Sequence, residues 1–201
     1  RTMQPITRIV LGGMQEILGT ADVTAVLAAA DIEYRLPANG DYVLQAGLDF
    51  VELCRLQIGL EKLYGDTTGQ GVILRCGRAG FKHLLQDFGE GIGLTDREYR
   101  FMPSKRRLTA GLRAVGGFFA DGSGGSVLVR EAPDAWVWES NACPWCWQRA
   151  RKGCACFFMV GLLGEYFSWA SGGKVYPLAE TECMAAGASA CVIRIDKWAL
   201  D

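Results

Sequence analysis

Eight cysteines and one histidine, His83, bound the chemistry open to this chain of 201 residues. A single histidine excludes zinc catalysis built on two or three imidazoles within one chain. Five of the eight cysteines lie between Cys143 and Cys183, and Cys191 follows closely. Glu180-Thr-Glu-Cys183 is followed eight residues later by Cys191, and Cys156 stands upstream. A carboxylate and three thiolates, from Cys156, Glu180, Cys183 and Cys191, would suit a tetrahedral zinc with Zn–S near ~2.3 Å. Four protein ligands leave no open position, so such a site would be structural. On a regular strand residues 180 and 183 face opposite sides, so the set requires a bulge or a strand end. The alternative reading is that Cys183 and Cys191 are buried small hydrophobes.

Cys143-Pro-Trp-Cys146 and Cys154-Ala-Cys156 supply a second group. Cys143, Cys146 and Cys154 could form half of a zinc knuckle, a redox dithiol or part of an iron–sulfur set. A cluster on these three and Cys156 would take Cys156 from the first site. The dithiol reading normally needs a thioredoxin-like βαβ frame, which is missing, and unligated loop thiols are the remaining reading. Gly89, Gly91 and Gly93 do not match a dinucleotide fingerprint, and Gly65 to Gly71 lacks the lysine of a phosphate loop. Both read as joints, which weighs against a reductase with a bound dinucleotide. Trp136 and Trp138 alternate on a strand and share a face. With Phe118 and Tyr166 they are candidates to line an apolar ligand pocket, although such aromatic sets are more often plain core. His83 reads as an ordinary surface or core residue.

The elements that must hold these residues fall into two parts. Ile6, Ile9, Val10, Met14, Ile17 and Leu18 recur at helical spacing before Gly19. Further helices are expected over 23–30, 42–64, 72–88 and 105–119, with a turn at 37–40, a break at 69–71 and a joint at 89–93. After Gly125 short strands are expected over 126–130 and 135–139, a helix over about 156–170, then strands over 174–183 and 190–195. The fold class is α+β: a helical N-terminal half and a small antiparallel sheet with packed helices. One domain over 1–201 is expected, mainly helical over 1–124.

Composition closes off several functions. Half the residues are hydrophobic, and the net charge of −1 draws the chain to neither nucleic acid nor an anionic membrane. The apolar run Phe157 to Leu163 is far short of the roughly 18 residues of a membrane span. No signal peptide is visible, so a cytoplasmic location is expected, and metal binding is preferred to disulfides.

Taken together, Cys156, Gly161, Glu165, Ser171-Gly-Gly173 and Glu180-Thr-Glu-Cys183 through Cys191-Val-Ile-Arg-Ile195 resemble the 4-vinyl-reductase-like (hydrocarbon-binding) domain family. The specific match covers roughly 126–197, within a 4-vinyl-reductase-like part spanning 125–198. The resemblance implies the ligand-binding fold of nitric-oxide-sensing haem domains and small trafficking-complex subunits. It implies structural zinc on Cys156, Glu180, Cys183 and Cys191; the iron–sulfur cluster that the cysteine spacing alone allows is the minor alternative. It further implies a non-enzymatic sensor or carrier for a small hydrophobic or aromatic ligand, with a tetrapyrrole among the candidates, and a homodimer. The alternative implied by the family name is a vinyl reductase, or an accessory protein, in bacteriochlorophyll synthesis. Cys143, Cys146 and Cys154 depart from the simplest family pattern.

Overall fold

The computed structural model describes residues 3–36 and 47–200. Its helices are α1 (Gln4–Leu18), α2 (Thr20–Ala29), α3 (Phe50–Tyr64), α4 (Asp66–Phe88), α5 (Arg97–Phe101), α6 (Ser104–Ser123) and α7 (Phe157–Ser171). The strands are β1 (Val127–Glu131), β2 (Ala135–Ser140), β3 (Leu178–Glu182) and β4 (Cys191–Asp196). They form one antiparallel sheet in the order β1-β2-β4-β3. This is the expected α+β arrangement. The turn at 37–40 and the first part of the expected 42–64 helix lie outside the described residues.

Local chemistry explains the helix ends. Asp49 caps α3 by accepting from the Glu52 amide at 2.8 Å, while the Glu52 carboxylate accepts from the Asp49 amide at 2.8 Å, a reciprocal box. Gly65, at φ 79°, turns the chain from α3 into α4. The break therefore falls at Gly65, and the expected break at 69–71 is absent: α4 runs through it. The glycine there serves close packing, since a Cβ on Gly69 would lie 2.9 Å from the Glu61 Cα on α3. Helix α5 lies outside the expected helices, and the strand expected over 174–183 is ordered as β3 only from Leu178.

The tightest crossing joins α4 to α7. A Cβ on Gly77 would stand 2.0 Å from the Phe158 carbonyl oxygen, and one on Gly161 would stand 2.0 Å from that of Leu74. The two backbones meet with no side chain between them. Around this crossing the core is continuous, from Ile6, Ile9 and Phe81 in the helices to Trp136, Trp138 and Ile193 in the sheet. Among the described residues no single helix is long and apolar enough to cross a membrane; α1 and α2 pass that test only as a pair, bent by 120°.

Gly77→Ala should cost about 2–3 kcal/mol, because the methyl group meets rigid backbone. That corresponds to a fall in Tm of roughly 5–10 °C at this chain size. Gly71→Ala, which faces open space in the same helix, should instead hold or raise Tm. Thermal melts followed by circular dichroism check the pair, and equal Tm values for the two variants reject the close-crossing argument.

Candidate thiol centre and adjoining cavity

Four chain segments converge at one end of the sheet. After β2 a loop leads through Cys143 into a short 3-10 turn, Pro144–Cys146. Cys156 is the N-cap of α7. Cys183 follows β3, and Cys191 opens β4. Cys143 Sγ lies 3.0 Å from Cys156 Sγ, Cys146 Sγ lies 3.3 Å from Cys191 Sγ, and Cys156 Sγ lies 3.6 Å from Cys191 Sγ. Two overlapping donor sets result: Cys143, Cys146, Cys156 and Cys191, and Cys156, Glu180, Cys183 and Cys191. They share Cys156 and Cys191. All five cysteines are buried.

The irregularity that the sequence requires between 180 and 183 is present. Glu180 pairs with Ile193 and Glu182 with Val192, so Thr181 is an extra residue bulged out of β3. The bulge lets Glu180 turn toward the start of α7. Its Oε2 accepts from the Ala155 and Cys156 amides at 2.9 and 2.8 Å. A carboxylate there satisfies free amides and complements the helix dipole. Its Oε1 is closed off from solvent without a hydrogen-bond partner.

The loop between Cys146 and Cys156 is held to α3. Glu61 pairs with Arg149 and, at 3.1 Å, with Arg151. Gln57 Nε2 donates to the Ala155 carbonyl at 2.8 Å, and the Cys54 thiol donates to the Trp145 carbonyl at 3.6 Å. Trp145 stacks on Phe158 with ring centroids 4.5 Å apart.

Cys154 departs from its expected grouping. It is half-buried, its thiol donates to the Glu180 main-chain carbonyl at 3.1 Å, and it belongs to neither donor set. Burial, helped by the Glu180 charge, pushes it up to about 11. Cys143 and Cys146, which the sequence places in a separate group with Cys154, instead join Cys156 and Cys191. Burial raises the Cys143 thiol. Within the centre, thiol donors, Cys143 foremost, lower Cys146, while its neighbours hold Cys156 high. Closely packed thiols cannot all ionise together without a compensating cation.

A cavity of about 20 Å³ adjoins the centre, between α1, α6 and the sheet. Cys143, Cys156 and Cys191 form one wall, and Ile6, Phe119 and Trp138 face them. Its size matches one water-sized occupant. Of the aromatics expected to line a pocket, Trp138 lines this cavity. Trp136 does not: it packs on Phe167 and Tyr176 and donates Nε1–H to Thr109 Oγ1 at 2.8 Å. Tyr166 is a core strut, its hydroxyl donating to the Leu108 carbonyl at 2.7 Å. Phe118 meets Phe88 with tilted rings, centroids 5.0 Å apart, and lines an outer groove. Phe119, Met159 and Trp145 line the cavity, although their types alone do not single them out. Phe119 adjoins the expected Phe118, and only the facing of α6 separates them.

Cys76, on α4, is outside the centre, and burial pushes its thiol up to about 12. In the unfolded chain the thiol ionises near 9. Above that pH the unfolded state binds fewer protons than the folded one. The stability from the neutral thiol is therefore complete below pH 9 and is lost as pH rises toward 12, at about 1.4 kcal/mol per pH unit. Urea midpoints should fall between about pH 9 and about pH 11. Cys76→Ala should start lower and fall less steeply, and an unchanged slope would reject this assignment.

No family model matches the chain, and no curated protein does. Solved structures do. An H-NOX protein from S. oneidensis in the Fe(II)NO ligation state is 14% identical, with 97% of this chain and 99% of that chain covered and a TM-score of 0.64. A Tt H-NOX carrying a pair of phenylalanine substitutions is 16% identical, with 100% and 97% covered and a TM-score of 0.58. A mutant H-NOX protein from K. algicida, Fe(II) unliganded, is 12% identical, with 100% and 97% covered and a TM-score of 0.58. These neighbours correct two expectations. The resemblance to the 4-vinyl-reductase-like family gives way, since every one of these structures is an H-NOX protein. The expectation of structural zinc, or of an iron–sulfur cluster, gives way with it, since the neighbours are described by iron(II) ligation states and, in one case, by haem distortion in the H-NOX family. Over nearly its whole length, the chain has the fold of the H-NOX proteins.

Proposed function

We propose that this chain is a non-enzymatic sensor domain that binds a small apolar molecule without haem. The observation that carries the reading is the apolar cavity walled on one side by the thiols of Cys143, Cys156 and Cys191. Its apolar lining with a few polar or reactive groups is of the small-ligand type, and the space, water-sized in this structure, must widen to take a guest. No acid, base and nucleophile among the described residues converge on it. His83 lies on α4, with Nε2 3.3 Å from Glu16 and its ring against Gly12 of α1.

Haem, named for an H-NOX neighbour, does not fit the residues present. A haem iron needs an axial His, Cys, Met or Tyr beside a space that accepts the macrocycle. The space beside the thiols is water-sized, with Ile6, Phe119 and Trp138 opposite the sulfurs. A roomier groove of about 660 Å³ between α1 and α6 is lined by Pro5, Ile92, Phe118 and others, with none of those four ligands among them. His83, whose ring faces Gly12 of α1, lines neither space. The role of the fold here is to hold the cavity and the cysteine loop together.

A guest larger than water would press on the turn Pro144–Cys146, which forms the cavity edge. Binding would then be read as a displacement of that turn and of Trp145. Xenon and toluene, titrated separately into the isotope-labelled protein, should shift the indole resonances of Trp138 and Trp145 saturably and leave that of exposed Trp198 in place. Ala142→Leu, at the cavity rim, should weaken this by at least about tenfold, or 1.4 kcal/mol. Indoles of Trp138 and Trp145 that stay fixed with both probes overturn the reading.

A further inference from the structure

A second concave space lies along the N-terminal half of α6, away from the thiols. It is an open cleft of about 360 Å³ beside the edge strand β1. Lys105, Arg106 and Arg113 line it, with Thr109, Glu131 and the apolar Met102 and Ala110. The three cations are exposed. No ion pair holds Arg106 or Arg113 among the described residues, and Lys105 acts on Glu131 only at longer range. The other cations around β1 are paired: Arg130 with Glu139, Arg194 with Asp134 and Lys197 with Glu131. Glu131, the one carboxylate in the lining, is therefore already engaged, with Lys197 donating to its Oε1 at 2.8 Å and Thr109 to its Oε2 at 3.2 Å.

The surrounding segment sharpens the imbalance. Residues 96–113 hold six cationic and two acidic side chains, in a chain of net charge −1. The first turn of α6 contains no acidic residue. Arg107 has a structural task, its Nε donating to the Ala170 carbonyl at 2.8 Å and its guanidinium to that of Arg100 at 3.1 Å. Arg97 and Arg100 lie outside the cleft lining. Lys105, Arg106 and Arg113 remain, gathered around one concave space. A cleft lined by charges of one sign focuses the field and concentrates the opposite ion.

We infer that the cleft between α6 and β1 binds a small organic phosphate. Its volume is that of a small-molecule site. Guanidinium groups match phosphate oxygens in pairs, and lysine adds a point charge. About 12 Å of helix axis separates Lys105 from Arg113, so a phosphate seated over the turns between them meets cations from both ends. Met102 and Ala110 offer apolar surface to the organic part. Each Glu131 oxygen keeps a lone pair for a ligand hydroxyl. Thr109, 8% exposed, ties the cleft to the sheet by accepting from Trp136 Nε1–H at 2.8 Å. An anion beside Thr109 and Glu131 changes the field at that indole, which makes Trp136 a reporter of the cleft. The apolar cavity has Trp138 and Trp145 in its lining instead, so this inference stands apart from the reading of that cavity.

The test uses the full chain, isotope-labelled, with ribose 5-phosphate as the probe, in about 0.15 M salt, where exposed charges are screened beyond roughly 8 Å. A saturable shift of the Trp136 indole resonance is expected, with those of Trp138 and Trp145 in place and one molecule bound per chain by calorimetry. Ribose, which lacks the phosphate, should bind at least about tenfold more weakly. The double variant Arg106→Gln with Arg113→Gln should lose affinity by at least about tenfold. Arg97→Gln with Arg100→Gln removes the same charge outside the cleft and should stay within about twofold. All four arginines are exposed, so both variants should melt with the wild type. A Trp136 indole that ribose 5-phosphate leaves unmoved overturns the inference with no variant needed. Equal losses in the two double variants overturn it too, since they mean diffuse attraction to the basic segment, and so does ribose binding as tightly as its phosphate.

Discussion

The crossing of α4 and α7 is the constraint on which the rest depends. Gly77 and Gly161 allow the two backbones to touch, and no other residue fits at either position without moving a helix. That contact fixes the height of α7 over the sheet and with it the position of Cys156 at the helix start. From that point the bulge at Thr181 brings Glu180 to the same helix end, and the β3–β4 pairing brings Cys191 beside it. The thiol centre is thus assembled by backbone packing. The sulfurs follow the scaffold.

Much of the scaffold is legible in the residues. The amphipathic repeat of Ile6 to Leu18, the alternation of 135–139 and the apolar stretch from Cys156 all form the expected elements. The need for an irregularity between residues 180 and 183 is legible too, because strand geometry alone demands it. The misreadings have a common cause. Gly69 and Gly71 read as a break because glycine weakens an isolated helix. In the folded chain Gly69 is where two helices approach, and that information sits in α3, not in α4. Nearness in sequence groups Cys143 and Cys146 with Cys154, whereas the turn at Pro144 sends them to Cys156 and Cys191. Trp136 and Trp138 do share a face, but they stand at separate places on the sheet's buried surface, one against Phe167 and the other against Phe119. Alternation gives the side of a sheet and says nothing of position along it.

The comparison with H-NOX proteins carries the fold, and the fold alone. A chain 14% identical to an H-NOX neighbour covers 97% of its own length in the same arrangement. Folds recur across unrelated functions because layers of helix and sheet pack in few ways, whereas a site depends on a few side chains. In this chain the single histidine lies at a helix–helix contact, and aromatic rings fill the space between helices and sheet. The distinctive chemistry is at the sheet end, where the cysteines gather.

The cavity and the thiol centre share three residues, Cys143, Cys156 and Cys191. A displacement of these residues by a guest would therefore reach the thiol centre. Its transmission needs no long path, since Pro144 to Cys146 is at once the cavity edge and the holder of one sulfur, with Cys143 immediately before it. That turn is held by Cys54 through the Trp145 carbonyl, and the loop that follows it by Glu61 through Arg149 and Arg151. These contacts belong to α3, so a displaced turn must pull against α3, and α3 packs on α4. The route from cavity to outer surface thus returns to the helix whose glycine set the position of the centre.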